Sequence, residues 1–179
     1  MAQGQRFRRA FIALGSNLGD RIANCLKAKD MLSKTPGIET VRSSSPYITE
    51  PVDMESDNTF INAVLEVRTC LEPETLLDSL LDIERMMGRD RASGPDRTID
   101  LDILFMEGIN ITKDHGRGDL TIPHPRIKER AFVLMPWAEI APHLFIESLG
   151  RTVGQMLQDL PSQKEVLERV SWEPEGALA

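Results

Sequence analysis

Two aspartates, Asp100 and Asp102, stand two residues apart within an otherwise apolar stretch. On a β-strand, residues i and i+2 point to the same face, so the two carboxylates would lie about 7 Å apart along the chain. Carboxylates this close repel each other unless one or two divalent cations bind between them, and Mg²⁺ prefers a few carboxylates together with substrate phosphates. The same pattern also fits two exposed acids on a solvated strand, so the pair alone does not establish a metal site.

Basic residues lie on both sides of this acidic pair. Three arginines occupy the segment that leads into the strand, and three cations follow it, close behind His124. The six are Arg89, Arg91, Arg97, Arg126, Lys128 and Arg130. Guanidinium groups match phosphate oxygens bidentately. Cations from two segments that converge on paired acids predict a site for a polyphosphate and its metal ions. The alternative is a solvated loop with local salt pairs.

Other polar and aromatic candidates are weaker when taken alone. His124, between two prolines, is compatible with a structural hydrogen bond or with donation to a phosphate. Glu84 is interpreted as a helix-surface carboxylate near the arginine segment. Phe132 has the character of a core residue, whereas Phe60 has a position that favours stacking. No GxxxxGK[ST] motif occurs, so any ATP would be bound without a P-loop.

Hydrophobic periodicity predicts the elements that position these residues. The expected order is a strand at 9–14, a helix at 20–34, strands at 41–48 and 60–69, a helix from 72 to 88 and a strand at 99–106. A hairpin of 109–111 with 120–122 and short helices at 131–141 and 152–160 would follow. The order β-α-β-β-α-β is typical of an α+β, ferredoxin-like fold, an antiparallel sheet with both main helices on one face.

Alternation along the strands assigns residues to the two faces of this sheet. Ile99, Leu101, Ile103 and Phe105 are expected under the helices. The free face is expected to carry Asp100, Asp102, Phe60 and Asn62 together, which predicts a site on that face.

Composition and length limit the class of protein. A chain of 179 residues indicates a single domain, 1–179, in which 1–8 and 163–179 are expected to be peripheral. The formal net charge of −7 argues against a nucleic-acid partner. The start of the chain has too short an apolar run for a signal peptide or a membrane span. Two distant cysteines, Cys25 and Cys70, favour a reducing, cytoplasmic environment, and the oligomeric state stays open.

Several motifs in order over most of the chain resemble the 6-hydroxymethyl-7,8-dihydropterin pyrophosphokinase family of folate biosynthesis. They are FIALGSNLGD at 11–20, EP at 50–51, FINAV at 60–64, IERMMGR at 83–89, DRTIDLDIL at 96–104 and IPHPRIKERAFVLMPWAEIAP at 122–142. The resemblance implies transfer of the diphosphate group of ATP to the hydroxymethyl oxygen of the pterin, with release of AMP. It also implies two Mg²⁺ ions held by Asp100 and Asp102. The arginine segment is short here and lacks the tryptophan found in many members.

The resemblance also implies roles for individual residues. The expected catalytic residues are Arg89, Arg97, Asp100 and Asp102. The expected ATP-binding residues are Arg91, Arg97, Ile103, Thr121, His124 and Arg130. The expected pterin-binding residues are Thr49, Glu50, Pro51, Val52, Phe60, Asn62, Asp100 and Phe132.

Three other functions place paired acids on a sheet. A palm-type nucleotidyl transferase or cyclase would be larger or carry a basic face, and this chain is acidic. A DxD phosphatase would carry its motif after the first strand. A cation-binding module without enzymatic activity would not need the arginines at 89–97.

Overall fold

The structure is a computed structural model that describes residues 6–90 and 92–173. The strands are β1 Arg8–Ser16, β2 Ile38–Ser43, β3 Tyr47–Thr49, β4 Phe60–Thr69, β5 Asp100–Met106, β6 Ile111–Asp114, β7 Asp119–Ile122, β8 Phe145–Ile146, β9 Arg151–Thr152 and β10 Val166–Arg169. The helices are α1 Arg21–Ser33, α2 Pro73–Met86, α3 Ala131–Ile140 and α4 Val153–Asp159. Within this part of the chain, no helix is long and apolar enough to cross a membrane.

The helices begin where their capping residues allow. The Asp20 side chain accepts a hydrogen bond from the Ala23 amide (3.0 Å) at the start of α1. Pro73 opens α2, where its missing N–H costs nothing. Gly88, with a φ of 84°, follows the end of α2 in the left-handed conformation that glycine tolerates. The predicted boundaries of both helices are confirmed to within two residues.

The main sheet is antiparallel, with the order β10-β3-β4-β1-β5, and β2 also pairs with β4. The single strand expected at 41–48 is wrong, because β2 and β3 are separate strands that pair with successive parts of β4. Pro46 has no backbone N–H to donate to the strand ladder. Between the two strands, the Ser44 hydroxyl accepts a hydrogen bond from the Val64 amide at 2.9 Å.

The tail, residues 163–173, contributes the edge strand β10, although no element was predicted there. This strand pairs antiparallel with β3, and Val166 lies opposite Thr49. Beyond it, Trp172 packs against the core under the helices and donates from its indole Nε1 to the Ser44 carbonyl at 2.8 Å.

Each face of the sheet carries its own hydrophobic core. The first lies under α1 and α2, with Leu32, Leu65 and Leu80 fully or almost fully buried. The second lies under α3 and α4 and is centred on Phe11 and Trp137, whose ring centroids are 5.4 Å apart. The expectation of a free second face is therefore wrong for the half of the sheet that this second core covers.

Strand β5 departs from strict alternation. Its pairing with β1 shifts by one residue, so Phe105 lies opposite Phe11 while Ile103 lies opposite Ile12. Leu104 and Phe105 consequently both contact the second core, and the prediction that Phe105 lies under the helices is wrong. Before the shift, Ile99, Leu101 and Ile103 lie in the first core as expected.

The predicted hairpin is formed by β6 and β7 as a separate two-stranded sheet. Its tip is held to α2 by a hydrogen bond between His115 and Asp78 (3.0 Å) and by an ion pair between Arg117 and Asp82 (3.2 Å).

Candidate active site

A cavity of about 310 Å³ opens where β1 ends and β4 and β5 begin, next to the N-terminus of α3. The second core stops short of this end of the sheet, so residues of the strands face the cavity there. Its wall includes Gly15, Thr49, Glu50, Val52, Met54, Phe60, Asn62, Arg89, Arg97, Asp100, Asp102, His124, Arg130 and Phe132.

The two aspartates of β5 both line the cavity, but their surroundings differ. Asp100 forms ion pairs with Arg89 and, at 3.3 Å, with Arg97. Asp102 has no ion pair with any described residue. Burial, followed by the nearby charges of Asp100 and Glu84, raises the pKa of Asp102 to about 7. The site therefore has one neutralised acid and one acid that lacks a cation.

Glu84 supports the acidic pair from beneath, which corrects its interpretation as a surface carboxylate. Its side chain is buried, accepts a hydrogen bond from the Leu101 amide at 2.8 Å and pairs with Arg89 at 2.6 Å. Burial opposes the charge of Arg89, but Asp100 and Glu84 outweigh it and hold the pKa of Arg89 above its usual value. Arg89 is thus fixed between two carboxylates, one from α2 and one from β5.

Arg97 is positioned by its backbone. The buried Asn17 side chain accepts from the Arg97 amide at 2.7 Å, while the Asn17 amide donates to the Arg97 carbonyl at 3.1 Å. Asn17 also donates to the carboxylate of Asp96 at 2.7 Å. The Arg97 guanidinium lies 5.3 Å from the centroid of the Phe60 ring, and its buried Nε has no hydrogen-bond partner among the described residues. Arg97 therefore joins the acidic end of the cavity to the aromatic end.

Arg130 and His124 form the opposite basic wall. The buried Nε of Arg130 has no hydrogen-bond partner in the described part of the chain. Burial and then the charges of Arg130 and Arg126 lower the pKa of His124 to about 4, so its ring is neutral at pH 7. Its Nδ1 accepts from the Arg126 amide at 3.2 Å, which leaves Nε2–H as the donor. Both residues can bind anionic oxygens.

The other end of the cavity suits a flat, polar-edged ring. Phe60 and Phe132 both contribute to the wall. The Asn62 side-chain amide donates to the Thr49 hydroxyl at 2.7 Å, which orients it. Gly15 lies opposite Asn62 across β1 and β4, where a Cβ would come within 2.8 Å of Asn62 Oδ1, so only glycine leaves room for this side chain.

Most of the residues predicted for the site line this one cavity. Pro51, Ile103 and Thr121 do not: Ile103 packs in the first core, and Thr121 pairs with Thr112 in the hairpin. Arg91 lies outside the described residues. Arg126 is not in the wall either and instead forms ion pairs with Asp53 and, at 3.2 Å, with Glu129.

Sequence reasoning missed Glu84, Asn17 and Gly15 as parts of the site. The sequence signal for Gly15 and Asn17 is their position directly after the strand predicted at 9–14. In the structure Gly15 lies near the end of β1, opposite Asp100 at the start of β5.

Comparisons with known proteins give a family match over most of the chain. The family model of 7,8-dihydro-6-hydroxymethylpterin-pyrophosphokinase matches residues 11–142. A 2-amino-4-hydroxy-6-hydroxymethyldihydropteridine pyrophosphokinase of Methylorubrum extorquens is 42% identical over 163 residues, which cover 89% of this chain and 99% of that protein. The Bacillus subtilis protein of the same name is 40% identical, over 82% of this chain and 86% of that protein.

A solved structure shows the same fold. A crystal structure of an HPPK-DHPS protein of Plasmodium falciparum superimposes with a TM-score of 0.73 at 15% sequence identity. The match covers 88% of this chain and 46% of that longer chain.

Proposed function

Because the chain belongs to the 7,8-dihydro-6-hydroxymethylpterin-pyrophosphokinase family, we propose that it transfers the diphosphate group of ATP to the hydroxymethyl oxygen of 6-hydroxymethyl-7,8-dihydropterin. The products are AMP and the pterin diphosphate, and the reaction belongs to folate biosynthesis. The observation that carries the proposal is a single cavity that combines an aromatic, amide-bearing end with an end built from arginines and acids.

The basic residues of the wall are assigned to the phosphates of ATP. Arg97 and Arg130 each have a buried Nε without a partner among the described residues, so an anion would satisfy both. Neutral His124 would donate to a phosphate oxygen from Nε2 without transferring a proton. These groups hold the triphosphate in one orientation, and positioning of this kind supplies most of the catalysis in phosphoryl transfer.

The pterin is assigned to the aromatic end. Its ring would lie between Phe60 and Phe132, and its amide edge would meet Asn62 and the backbone near Thr49 and Glu50. The short distance between Arg97 and Phe60 supports this arrangement, because one side chain then borders both substrates.

The acids fit magnesium by the chemistry of their oxygen donors. Asp100 and Asp102 share one face of β5, and Asp102 carries a raised pKa that a bound cation would reverse. In the described part of the chain, no three acid, histidine or cysteine side chains are preassembled around one point. Phosphate oxygens would therefore complete the coordination. Two bound Mg²⁺ ions would neutralise the triphosphate charge and polarise the phosphoryl oxygens.

The finer fold assignment is also part of the proposal. The order β3-β4-β1-β5, with α1 and α2 over the same core, supports a ferredoxin-like unit to which β10, the β6–β7 hairpin, α3 and α4 are added. The partners are small molecules, and the cytoplasmic location stays a prediction.

The test is AMP formation from ATP and Mg²⁺, measured with and without the hydroxymethyl pterin. We expect AMP and the pterin diphosphate in equal amounts, and no AMP when either the pterin or Mg²⁺ is omitted. Formation of ADP, or AMP release that is independent of the pterin, would contradict the proposal.

A further inference from the structure

Glu165, at the start of the tail, bonds to two separate walls of the cavity. Its backbone carbonyl accepts a hydrogen bond from the Glu50 amide at 2.8 Å. Its side-chain Oε1 accepts another from the Ala131 amide at 3.0 Å. Glu50 lines the cavity, and Ala131 is the first residue of α3, whose residues Phe132 and Val133 also line it. One tail residue thus connects two separate segments of the cavity wall.

On the first side, Glu165 extends the strand pairing that carries the cavity edge. Val166 lies opposite Thr49, so β10 holds the end of β3 in register. Thr49 is almost fully buried and accepts from the side chain of Asn62. The direction of the Asn62 amide therefore depends on a strand that the tail keeps in place.

On the second side, the Glu165 carboxylate caps α3. The helix has no side-chain cap of its own, because its N-cap residue is Arg130, whose side chain lines the cavity. A carboxylate at a helix N-terminus satisfies a free amide and interacts favourably with the helix dipole. Ala131 stands between Arg130 and Phe132, so this one bond fixes the backbone that presents both side chains.

The tail is itself anchored away from the cavity. The Val170 amide donates to the Pro46 carbonyl at 2.9 Å, and Trp172 donates to the Ser44 carbonyl. The ammonium group of Lys29 lies 4.1 Å from the Trp172 ring centroid. Glu165 therefore has a fixed base from which to hold α3.

We propose that Glu165 is a positioning residue for the pterin, which sets the distance between the Thr49–Glu50 edge and the α3 wall with Phe132. This inference rests on the proposed function. It assigns to the tail a role in substrate recognition, since the length of one glutamate side chain defines the width of the ring-binding end of the cavity.

The test compares Glu165→Ala with Glu165→Gln, and uses Glu168→Ala as a matched control. Glu168 lies in β10, three residues after Glu165, is exposed and has no side-chain bond to a described residue. We expect Glu165→Ala to raise the KM for the pterin about tenfold, a ratio that corresponds to about 1.4 kcal/mol. The KM for ATP should change less than twofold. Glu165→Gln keeps the acceptor oxygen and should recover most of the pterin KM, whereas Glu168→Ala should match the wild type.

Two results would contradict the role proposed for Glu165. Equal pterin KM values for Glu165→Ala and Glu168→Ala would overturn it. So would a parallel rise in both KM values together with a lower melting temperature, because that pattern indicates general destabilisation. A wild-type protein that forms no pterin-dependent AMP would instead refute the proposed function. Pterin binding to the same variants, followed by fluorescence, would then test the role of Glu165 without turnover.

Discussion

Asp100 and Asp102 are identical residues on one face of one strand, yet the structure gives them opposite electrostatic situations. Arg89 and Arg97 neutralise Asp100, whereas no cation of the described residues pairs with Asp102. The folded protein therefore disfavours the ionised form of Asp102, whose pKa rises to about 7. Without metal, this residue costs stability that an uncharged side chain would recover.

This difference predicts opposite effects of two similar substitutions. The pKa of Asp102 is higher in the folded than in the unfolded state, so the protonated form of Asp102 favours the folded protein. This contribution to the free energy of unfolding is complete below about pH 4 and is lost as the pH rises to about 7. In chelator at pH 8, Asp102→Asn should raise the melting temperature by a few degrees, at roughly 2–4 °C for each kcal/mol. Asp100→Asn should lower it, because Arg89 and Arg97 lose a partner.

Calorimetry at pH 5 and pH 8 checks this prediction. The gain from Asp102→Asn should be smaller at pH 5, and both variants should lack activity with Mg²⁺. Equal melting temperatures of Asp102→Asn and wild type at pH 8 would show that Asp102 is adequately solvated.

At the residue scale, the spacing of Asp100 and Asp102 predicted that both face the same side of a strand, and both line the cavity together with Arg89, Arg97 and Arg130. The placement of Phe132 followed from the family resemblance alone. The sequence was insufficient for Glu84. Helical periodicity places Glu84 beside the apolar stripe, but its partner is the backbone amide of Leu101 on another element. This hydrogen bond forms only because α2 packs against β5, and the hydrophobic periodicity of one helix does not report how that helix packs against another element.

At the element scale, the arginine segment is held at both ends. Arg89 is fixed by Glu84 and Asp100, and the Asp96 carboxylate accepts hydrogen bonds from Asn17, from Ser56 at 2.5 Å and from Asn58 at 3.2 Å. Residues 92–95 between these ends are exposed. Side-chain contacts therefore hold the two ends of the segment at Arg89 and Asp96.

Loss of the Asp96 carboxylate should loosen two segments together. In Asp96→Ala, amide hydrogen exchange should become faster in residues 92–98 and also in 54–58, because the shared acceptor is removed. The value of kcat should fall about tenfold, since the Asn17 side chain that holds the Arg97 backbone then loses its own hydrogen bond to Asp96. Asp57→Ala, an exposed change in the neighbouring loop, serves as the control. Faster exchange in only one of the two segments would show that Asp96 does not join them.

Strong periodicity explains which elements were predictable. The helices α1 and α2 and the strand β4 have long, regular patterns and were predicted closely. The short strand β10 was not predicted, because its outward residues are mostly exposed and it is stabilised by pairing with β3. Strand pairing at a sheet edge is a tertiary contact, which local propensity does not report.

At the scale of the whole molecule, the site occupies the boundary of the second core. The sequence indicated short helices at 131–141 and 152–160, and both exist as α3 and α4. It could not show that they pack on the face opposite α1 and α2, because an apolar helix fits either face. This packing turns an open sheet surface into a cavity closed on one side by Phe132 and Arg130.

The composition of the cavity wall has a consequence for how a nucleotide reaches it. The described wall residues include the carboxyl groups of Glu50, Asp100 and Asp102 and the guanidinium groups of Arg89, Arg97 and Arg130. Because the pKa of Asp102 is about 7, the negative charges almost balance the positive ones and leave a small positive net charge at neutral pH. The chain as a whole carries a formal charge of −7. An approaching polyanion therefore meets repulsion at long range and finds attraction only at contact, the reverse of electrostatic steering.

Raising the ionic strength from about 0.01 to 0.15 M shortens the Debye length from about 30 to 8 Å. In stopped-flow measurements with a fluorescent ATP analogue, the association rate constant should consequently increase with salt. A steep decrease would mean that a positive field extends from the site into solution.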